Sequence, residues 1–300
     1  MKVLNFGSLN VDYVYRVDHI VRKGETLSTQ SRQEFAGGKG LNQSIALANA
    51  GLEIFHAGCI GPGGEFLLDV LKNAGVDVTF VKRMADTPVG HTIIQNSDDG
   101  DNCILLYGGA NQAVTREQID AVLEHFQPGD YLVLQNEISN LAYLFERAVA
   151  KQIQIVCNPS PMNETVKELP LEKAAYLFVN EIEAGQLLGA DSGSERELVG
   201  ALSRRFPRTR VILTLGKDGA DYIDGDKCIH QAIFPVKAVD TTAAGDTFTG
   251  FFMGGILGGQ SPEEALRYAS KAASIAVTRR GASPSIPTAA QVRAELDGQA

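Results

Sequence analysis

The chain has no tryptophan, only four cysteines in 300 residues, and no apolar run long enough to cross a membrane. Cys59, Cys103, Cys157 and Cys228 are scattered and lack metal-type spacing; the first three lie in or beside apolar strand-like runs and read as reduced core thiols. The five histidines likewise show no ligand spacing, so no zinc site is expected. Basic residues are outnumbered, 27 Lys and Arg against 36 Asp and Glu, and the formal net charge is −9 with no block of Lys or Arg. That balance argues against nucleic acid or an anionic membrane as a partner. There is no G-x-S-x-G elbow and no Cys/His pairing to support a hydrolase. No G-x-x-x-x-G-K-S/T occurs, which excludes a P-loop, and the glycines of 58–64 do not fit a dinucleotide fingerprint. No signal-peptide pattern precedes the first strand, Lys2 to Gly7, so a cytoplasmic protein is expected.

What is present is an alternation of short apolar runs with helical patterns, without linker or repeat. Strands are predicted at Val3–Phe6, Ile54–Cys59, Tyr131–Leu134, Ile153–Cys157, Tyr176–Val179 and Val211–Leu215. Helices are predicted at Gly40–Ala50, Glu65–Asn73, Arg116–His125, Leu141–Ala150, Glu181–Leu188 and Glu195–Arg205, with a short fraying helix over Gln291–Ala300. This pattern implies one α/β unit, a three-layer domain with a mostly parallel central sheet covered on both faces. Ligands then belong outside the carboxyl ends of the strands. Two regions break the rhythm. Tyr13–Val17 with Thr26–Phe35, and Thr87–Asn96 with Asn102–Tyr107 around the turn Ser97–Asp101, are β segments with no helix between them. They predict a small β-sheet lid built from segments at about 13–35 and 87–107.

The most telling stretch is Asp240-Thr241-Thr242-Ala243-Ala244-Gly245-Asp246-Thr247-Phe248, which joins a β-rich region to a small-residue helical run, Phe251 to Gly259. Unpaired N–H groups at such a helix start attract anions, phosphate above all. Asp246 in the first turn adds a carboxylate facing the same pocket. An anion cradle beside a carboxylate is equipment for moving a phosphoryl group onto a hydroxyl. Five weaker constellations accompany it. Asn10 and Asp12 flank Val11 and offer an amide and a carboxylate to vicinal hydroxyls, or form an ordinary Asx-turn. Gly37-Gly38-Lys39-Gly40 precedes Asn42 at a helix start, where paired glycines let a ligand approach the backbone; Lys39 is either solvated or over bound phosphate. Glu137 follows an apolar strand and lies at the ligand edge or caps the helix Leu141–Ala150. Asn180 reads as an N-cap, with Glu181 and Glu183 in the first turn; the functional alternative is that these groups organise Mg²⁺ and its waters. Thr214, Gly216 and Gly219 mark a glycine-rich turn into a hairpin at Ala220–Ile223 that could contact a nucleotide.

Taken together, Ala36-Gly37-Gly38-Lys39-Gly40-x-Asn42 and Asp240–Phe248 resemble the two signatures of the ribokinase-like family of sugar kinases, the phosphofructokinase-B type, with the other constellations in the expected order. The resemblance runs from Asn5 to about Pro287. It implies ATP-dependent transfer of the γ-phosphoryl group to a primary hydroxyl of a sugar, D-ribose to ribose 5-phosphate being the leading case. Deoxyribose, a hexose or a nucleoside are alternative acceptors, and a non-catalytic sugar- or nucleotide-binding regulator is a more distant reading. By the same resemblance Asp246 is the catalytic base, and the N–H groups of Ala243, Ala244 and Gly245 form the anion hole. Asn10, Asp12, Gly38, Lys39, Asn42 and Glu137 match the substrate side; Asn180, Thr214, Gly216, Gly219 and Gly245 match the nucleotide side. Glu183 matches the Mg²⁺-water position. Asp240, Thr242, Ala276, Arg279, Gly281 and Ser285 match a monovalent-cation site, K⁺ in this reading. The lid matches a clasp through which two subunits pair as a homodimer. Two residues depart from the pattern: Leu41 stands where alanine is usual, and Asn136 replaces an apolar residue before Glu137. Asn136 either reaches a sugar hydroxyl or faces solvent.

Overall fold

Residues 1–99, 101–189 and 195–298 are described by a computed structural model. Gly100, within the expected turn Ser97–Asp101, and the last two residues of the expected tail helix lie outside them. From the amino end, β1 (Val3–Phe6), β2 (Asn10–Val17) and β3 (Ser31–Gly37) lead into α1 (Lys39–Asn49) and β4 (Ile54–Ile60). Next come α2 (Glu65–Asn73), β5 (Asp77–Arg83), β6 (Gly90–Ser97) and β7 (Asn102–Tyr107). The alternation continues through α3 (Arg116–Leu123), β8 (Tyr131–Gln135), α4 (Leu141–Ala150), β9 (Gln154–Asn158) and β10 (Tyr176–Asn180). After α5 (Glu181–Leu188), α6 (Glu195–Arg205) and β11 (Arg210–Thr214), a hairpin of β12 (Ala220–Asp224) and β13 (Lys227–Gln231) follows. The chain finishes with α7 (Ala244–Leu257), α8 (Pro262–Ala276) and α9 (Ala289–Asp297).

The main sheet runs β13-β12-β11-β10-β9-β8-β1-β4-β5. Its strands are parallel from β11 to β5, and only the terminal hairpin is antiparallel. Because successive side chains point to opposite faces, each strand feeds two cores. Leu132 and Leu134 pack with α3, α4, α5 and α6, whereas Val133 packs with α1, α2, α7, α8 and α9. The three-layer α/β reading thus holds. The sequence reading did not include β5, an edge strand whose polar residues alternate with Val78 and Phe80. It also missed α8, although Ser261 forms a full capping box with Glu264 and Pro262 opens the helix.

A second sheet, β3-β2-β6-β7, stands apart from the first. The lid segment expected from Tyr13 starts earlier, at Asn10, because the chain leaves β1 through only Gly7-Ser8-Leu9 and enters β2 at once. Asn10 and Asp12 are therefore strand residues on one face of β2, not an Asx-turn. β7 is exposed along its whole length. Cys103 lies on it, so this cysteine is an exposed thiol and not the core residue expected; Cys59 and Cys157 are buried. Among the described residues no helix is long and apolar enough to cross a membrane.

Candidate functional site

The carboxyl ends of β1, β8, β9, β10 and β11 deliver Ser8, Glu137, Asn158, Asn180 and Thr214 to one edge of the parallel sheet. The amino ends of α1 and α7 meet them there. Gly38, at φ 96°, lets the chain turn from β3 into α1 without a Cβ penalty. The first-turn donors of α1 are all taken. Lys39 N–H donates to Glu137 Oε2 at 3.0 Å, Gly40 N–H to Ser8 Oγ at 3.2 Å, and Leu41 N–H to the Ser8 carbonyl at 3.0 Å. Ser8 Oγ also donates to Glu137 Oε2. Glu137 thus caps α1 and not α4, whose N-cap is Asn140. Its other oxygen accepts no hydrogen bond from a described residue.

At the start of α7, Ala243 occupies the left-handed region at φ 60° and its carbonyl accepts the Thr247 N–H at 2.8 Å. A non-glycine residue held there carries backbone strain. Ala244 N–H closes a turn onto the Thr241 carbonyl at 3.2 Å, so this proposed anion-hole donor is already engaged. The N–H groups of Ala243, Gly245 and Asp246 remain without partners among the described residues. The Asp246 carboxylate is gripped on both oxygens: Gln43 Nε2 donates to Oδ1 at 2.9 Å and Asn42 Nδ2 to Oδ2 at 3.1 Å. Asn42 Oδ1 is buried and has no hydrogen-bond partner among the described residues. Gln43 also donates to Asn158 Oδ1 at 3.1 Å and accepts from Gln135 Nε2 at 2.6 Å. Gln135 continues to Asn5, Asn5 to Ser44, and Ser44 Oγ meets His56 Nδ1 at 2.8 Å. Burial drives the His56 imidazole down to about 3, so the network ends in a neutral ring.

On the lid side, Asn111 Nδ2 donates to Asn10 Oδ1 at 2.7 Å and Thr92 Oγ1 to Asp12 Oδ1 at 2.6 Å. A Cβ at Gly90 would overlap Asn10 and Asn111 and come within 2.8 Å of the Gly108 carbonyl. Sequence reasoning gave no role to Ser8, Gln43, Thr92 or Asn111. They carry no motif of their own, and only the pairing of β2 with β6 brings Thr92 opposite Asp12. Asn136, left open above, donates to the Pro161 carbonyl at 2.7 Å and thereby ties the loop after β8 to the loop after β9.

The carboxyls of Asp12 and Glu137 are both held above the ordinary carboxylate range, chiefly by burial. The Thr92 hydrogen bond works against this for Asp12; the Lys39 charge and the Ser8 bond do so for Glu137. Burial would lower the Lys39 ammonium, but the charges of Asp246, Glu137 and Glu183 outweigh it and raise it instead. A carboxyl raised in the fold contributes stability below its unfolded pKa and loses it as pH rises through the folded value. A polyol donating hydroxyl hydrogen bonds to the ionised carboxylates relieves that loss. A bound sugar should therefore raise the melting temperature more at about pH 7 than at about pH 5. Melting curves with and without sugar at both pH values check this, and equal shifts would contradict it.

Asn180, Glu183, Thr214, Gly216, Gly219 and Gly245 line two adjoining cavities. One, of about 260 Å³, is bounded by Lys39, Asn158, Asn180, Glu183, Thr241 and the 243–246 turn. The other, of about 480 Å³, takes in Asn180, Thr214, Gly216, Gly219 and Gly245, with apolar walls from Ile233, Phe234, Val236, Phe248 and Val277. Asn180 and Glu183 form a reciprocal capping box at α5, so the capping reading is realised in full at the mouth of the smaller cavity. Asp240 joins the matched cation-site segments: its carboxylate accepts from Thr242 N–H and Gly281 N–H, each at 2.9 Å. Burial would raise this carboxyl, but the Thr242 side-chain hydrogen bond, the two N–H bonds and the Arg280 charge hold it below its ordinary value. Nearby, the Arg279 N–H donates to the Ala276 carbonyl at 3.0 Å, and Arg279 Nη1 lies 3.4 Å from the Ser285 carbonyl.

A model described as pfkB family carbohydrate kinase matches residues 1–289. The chain is 33% identical over 288 residues to a ribokinase of Haemophilus influenzae, with 94% of each sequence covered. The ribokinase structure from Thermotoga maritima superposes with a TM-score of 0.86 at 31% identity, covering 99% of both chains. The Arabidopsis thaliana ribokinase complexed with ribose and ATP gives a TM-score of 0.86 at 29% identity, covering 98% of both.

Proposed function

This chain belongs to the pfkB family of carbohydrate kinases, and we propose that its acceptor is D-ribose, phosphorylated by ATP to ribose 5-phosphate. The observation that carries this reading is the Asp246 carboxylate, held by Asn42 and Gln43 beside the open N–H groups of α7. Ribokinase relatives with ribose and ATP support the choice of sugar. In this mechanism Asn10, Asp12, Asn42 and Glu137 receive the sugar hydroxyls. The Asn42 Oδ1 that lacks a partner is one ready acceptor. Asp246 takes the proton of the primary hydroxyl as its oxygen bonds to the γ-phosphorus. The bond from that phosphorus to the bridging oxygen breaks, and ADP leaves. The N–H groups of Ala243 and Gly245, with Lys39, oppose the charge on the transferring group; Ala244 must first release Thr241.

The larger cavity suits the adenosine, with Asn180, Thr214, Gly216 and Gly219 along it. Glu183 uses only Oε2 in its capping box, so its second oxygen is free to hold a water of Mg²⁺. Mg²⁺ bound with ATP neutralises the phosphates. The oxygen-only set of Asp240, Thr242 and the carbonyls of Ala276, Arg279, Gly281 and Ser285 fits a large hard cation such as K⁺, since every donor is oxygen and Asp240 brings the negative charge. Such an ion would order the 240–246 loop. Replacing K⁺ by an organic cation should lower kcat severalfold; an unchanged rate would remove the ion from the account.

Pairing of two chains through the lid is favoured by the apolar exposure of Ile104, Leu105, Leu106 and Tyr107 on the edge strand β7. Sedimentation should find a dimer that Leu105→Glu converts to monomer; a monomeric parent chain at micromolar concentration would contradict this. A cytoplasmic setting suits the ATP substrate and the four free thiols. The acceptor is tested by measuring ADP formation across pentoses, deoxyribose, hexoses and nucleosides. Ribose should give the highest kcat/KM, and a higher value for any other acceptor overturns the assignment.

A further inference from the structure

A second cluster of ligating side chains lies on the β12–β13 hairpin, and none of its residues lines either cavity of the site above. Asp221 pairs directly with His230 across the two strands. The amino end of α6 begins at Glu195, and α6 packs on β12. His230 Nδ1 lies 2.8 Å from Asp221 Oδ1 and 4.0 Å from Glu195 Oε1. One donor atom from each of the three falls within 4.8 Å of the other two. A separate observation points to a missing ligand. The Asp221 side chain is only 1% exposed, yet its Oδ2 has no hydrogen-bond partner among the described residues. An unpaired buried carboxylate oxygen is costly, and a cation is the partner that relieves it best. Cys228 stands two residues before His230 on the same face of β13.

We propose that Glu195, Asp221 and His230 bind a divalent transition-metal ion of the zinc type, separate from any ion that accompanies ATP. The imidazole decides the class: Zn²⁺ takes nitrogen and carboxylate oxygen together, whereas Mg²⁺ and Ca²⁺ prefer oxygen alone. The ion takes the position of the hydrogen shared by His230 and Asp221 and gives Asp221 Oδ2 a positive partner. It pins the start of α6 to the edge hairpin, and solvent completes its coordination. The five histidines gave no such signal in the sequence, because the three ligands are brought together by strand pairing and helix packing and not by spacing.

The test uses the full-length, tag-free, metal-stripped chain and Zn²⁺ alone, followed by calorimetry and melting curves. One ion should bind per chain, raise the melting temperature, and resist millimolar Mg²⁺. His230→Ala and Glu195→Gln should each weaken binding by about 100-fold or more, since even an outer-shell partner is worth up to about that factor. Asp226→Asn, an exposed carboxylate on the same hairpin outside the cluster, should bind as the parent does. Metal-free melting curves show whether a variant has kept its fold; Glu195→Gln, at the exposed end of the cluster, leaves the strand pairing untouched. Parent-like zinc affinity in either His230→Ala or Glu195→Gln, or displacement by millimolar Mg²⁺, overturns the proposal.

Discussion

Replacing Asp246 by asparagine should lower kcat by about 10²–10⁴-fold, the range that a positioned proton acceptor contributes. Sugar affinity should change by less than about tenfold, or ~1.4 kcal/mol. The expectation rests on both carboxylate oxygens being hydrogen-bonded by amide donors, Asn42 on one and Gln43 on the other. An asparagine keeps the shape but loses the basic oxygen. It also turns an N–H₂ toward one of those donors. Gln43 cannot flip to compensate, because its Oε1 already accepts from Gln135, whereas Asn42, whose Oδ1 has no partner among the described residues, is free to turn its oxygen toward the new amide. Rate and affinity are separated by following ADP formation and, independently, titrating sugar into the variant. Turnover within a few-fold of the parent would remove Asp246 from its role as base.

The second large effect lies away from the reacting atoms. A Cβ on Gly250 would overlap the Ala46 Cβ and come within 2.7 Å of the Ala46 carbonyl carbon. Gly250 lies where α7 packs on α1. Those two helices carry Asp246 on one side and Asn42 with Gln43 on the other. Gly250→Val must therefore push the helices apart, at about 1–3 kcal/mol or more for overpacking. For a chain of 300 residues that corresponds to a melting temperature lower by roughly 1.5 °C per kcal/mol. The same movement should lengthen the contacts to Asp246 and lower kcat/KM. Gly254→Ala makes a useful comparison. It meets Ala50 one turn further on and should destabilise without a matching loss of kcat. Equal activity losses in both variants would show that helix separation is not what disturbs the base.

Much of this was legible in the sequence, and the reasons differ by element. The parallel strands were readable because a strand buried on both faces is a short unbroken apolar run, as in Tyr131–Leu134. β5 was not, because an edge strand with polar residues at every second position gives no such run. The Asp240–Phe248 loop reads as an anion site through its small residues and its first-turn acid. It did not reveal that the Ala244 N–H is spent on Thr241. Glu137 was recognisable as a ligand-edge carboxylate, but its capping of α1 depends on a fold that brings residues 39 and 137 together. Ser8, Gln43, Thr92 and Asn111 were silent for the same reason. Each is an ordinary polar residue until tertiary pairing supplies its partner. That Asn136 ties two loops together was not readable either, because its partner Pro161 comes from a loop 25 residues away.

Transfer of the γ-phosphoryl group of ATP to the primary hydroxyl of ribose is checked by phosphorus and carbon NMR of the product formed from ATP, Mg²⁺, K⁺ and D-ribose. Ribose 5-phosphate and ADP should appear in equal amounts, with phosphorus coupled to the C5 protons. ATP consumed without a sugar phosphate, or phosphorus coupled to the anomeric proton, would contradict it.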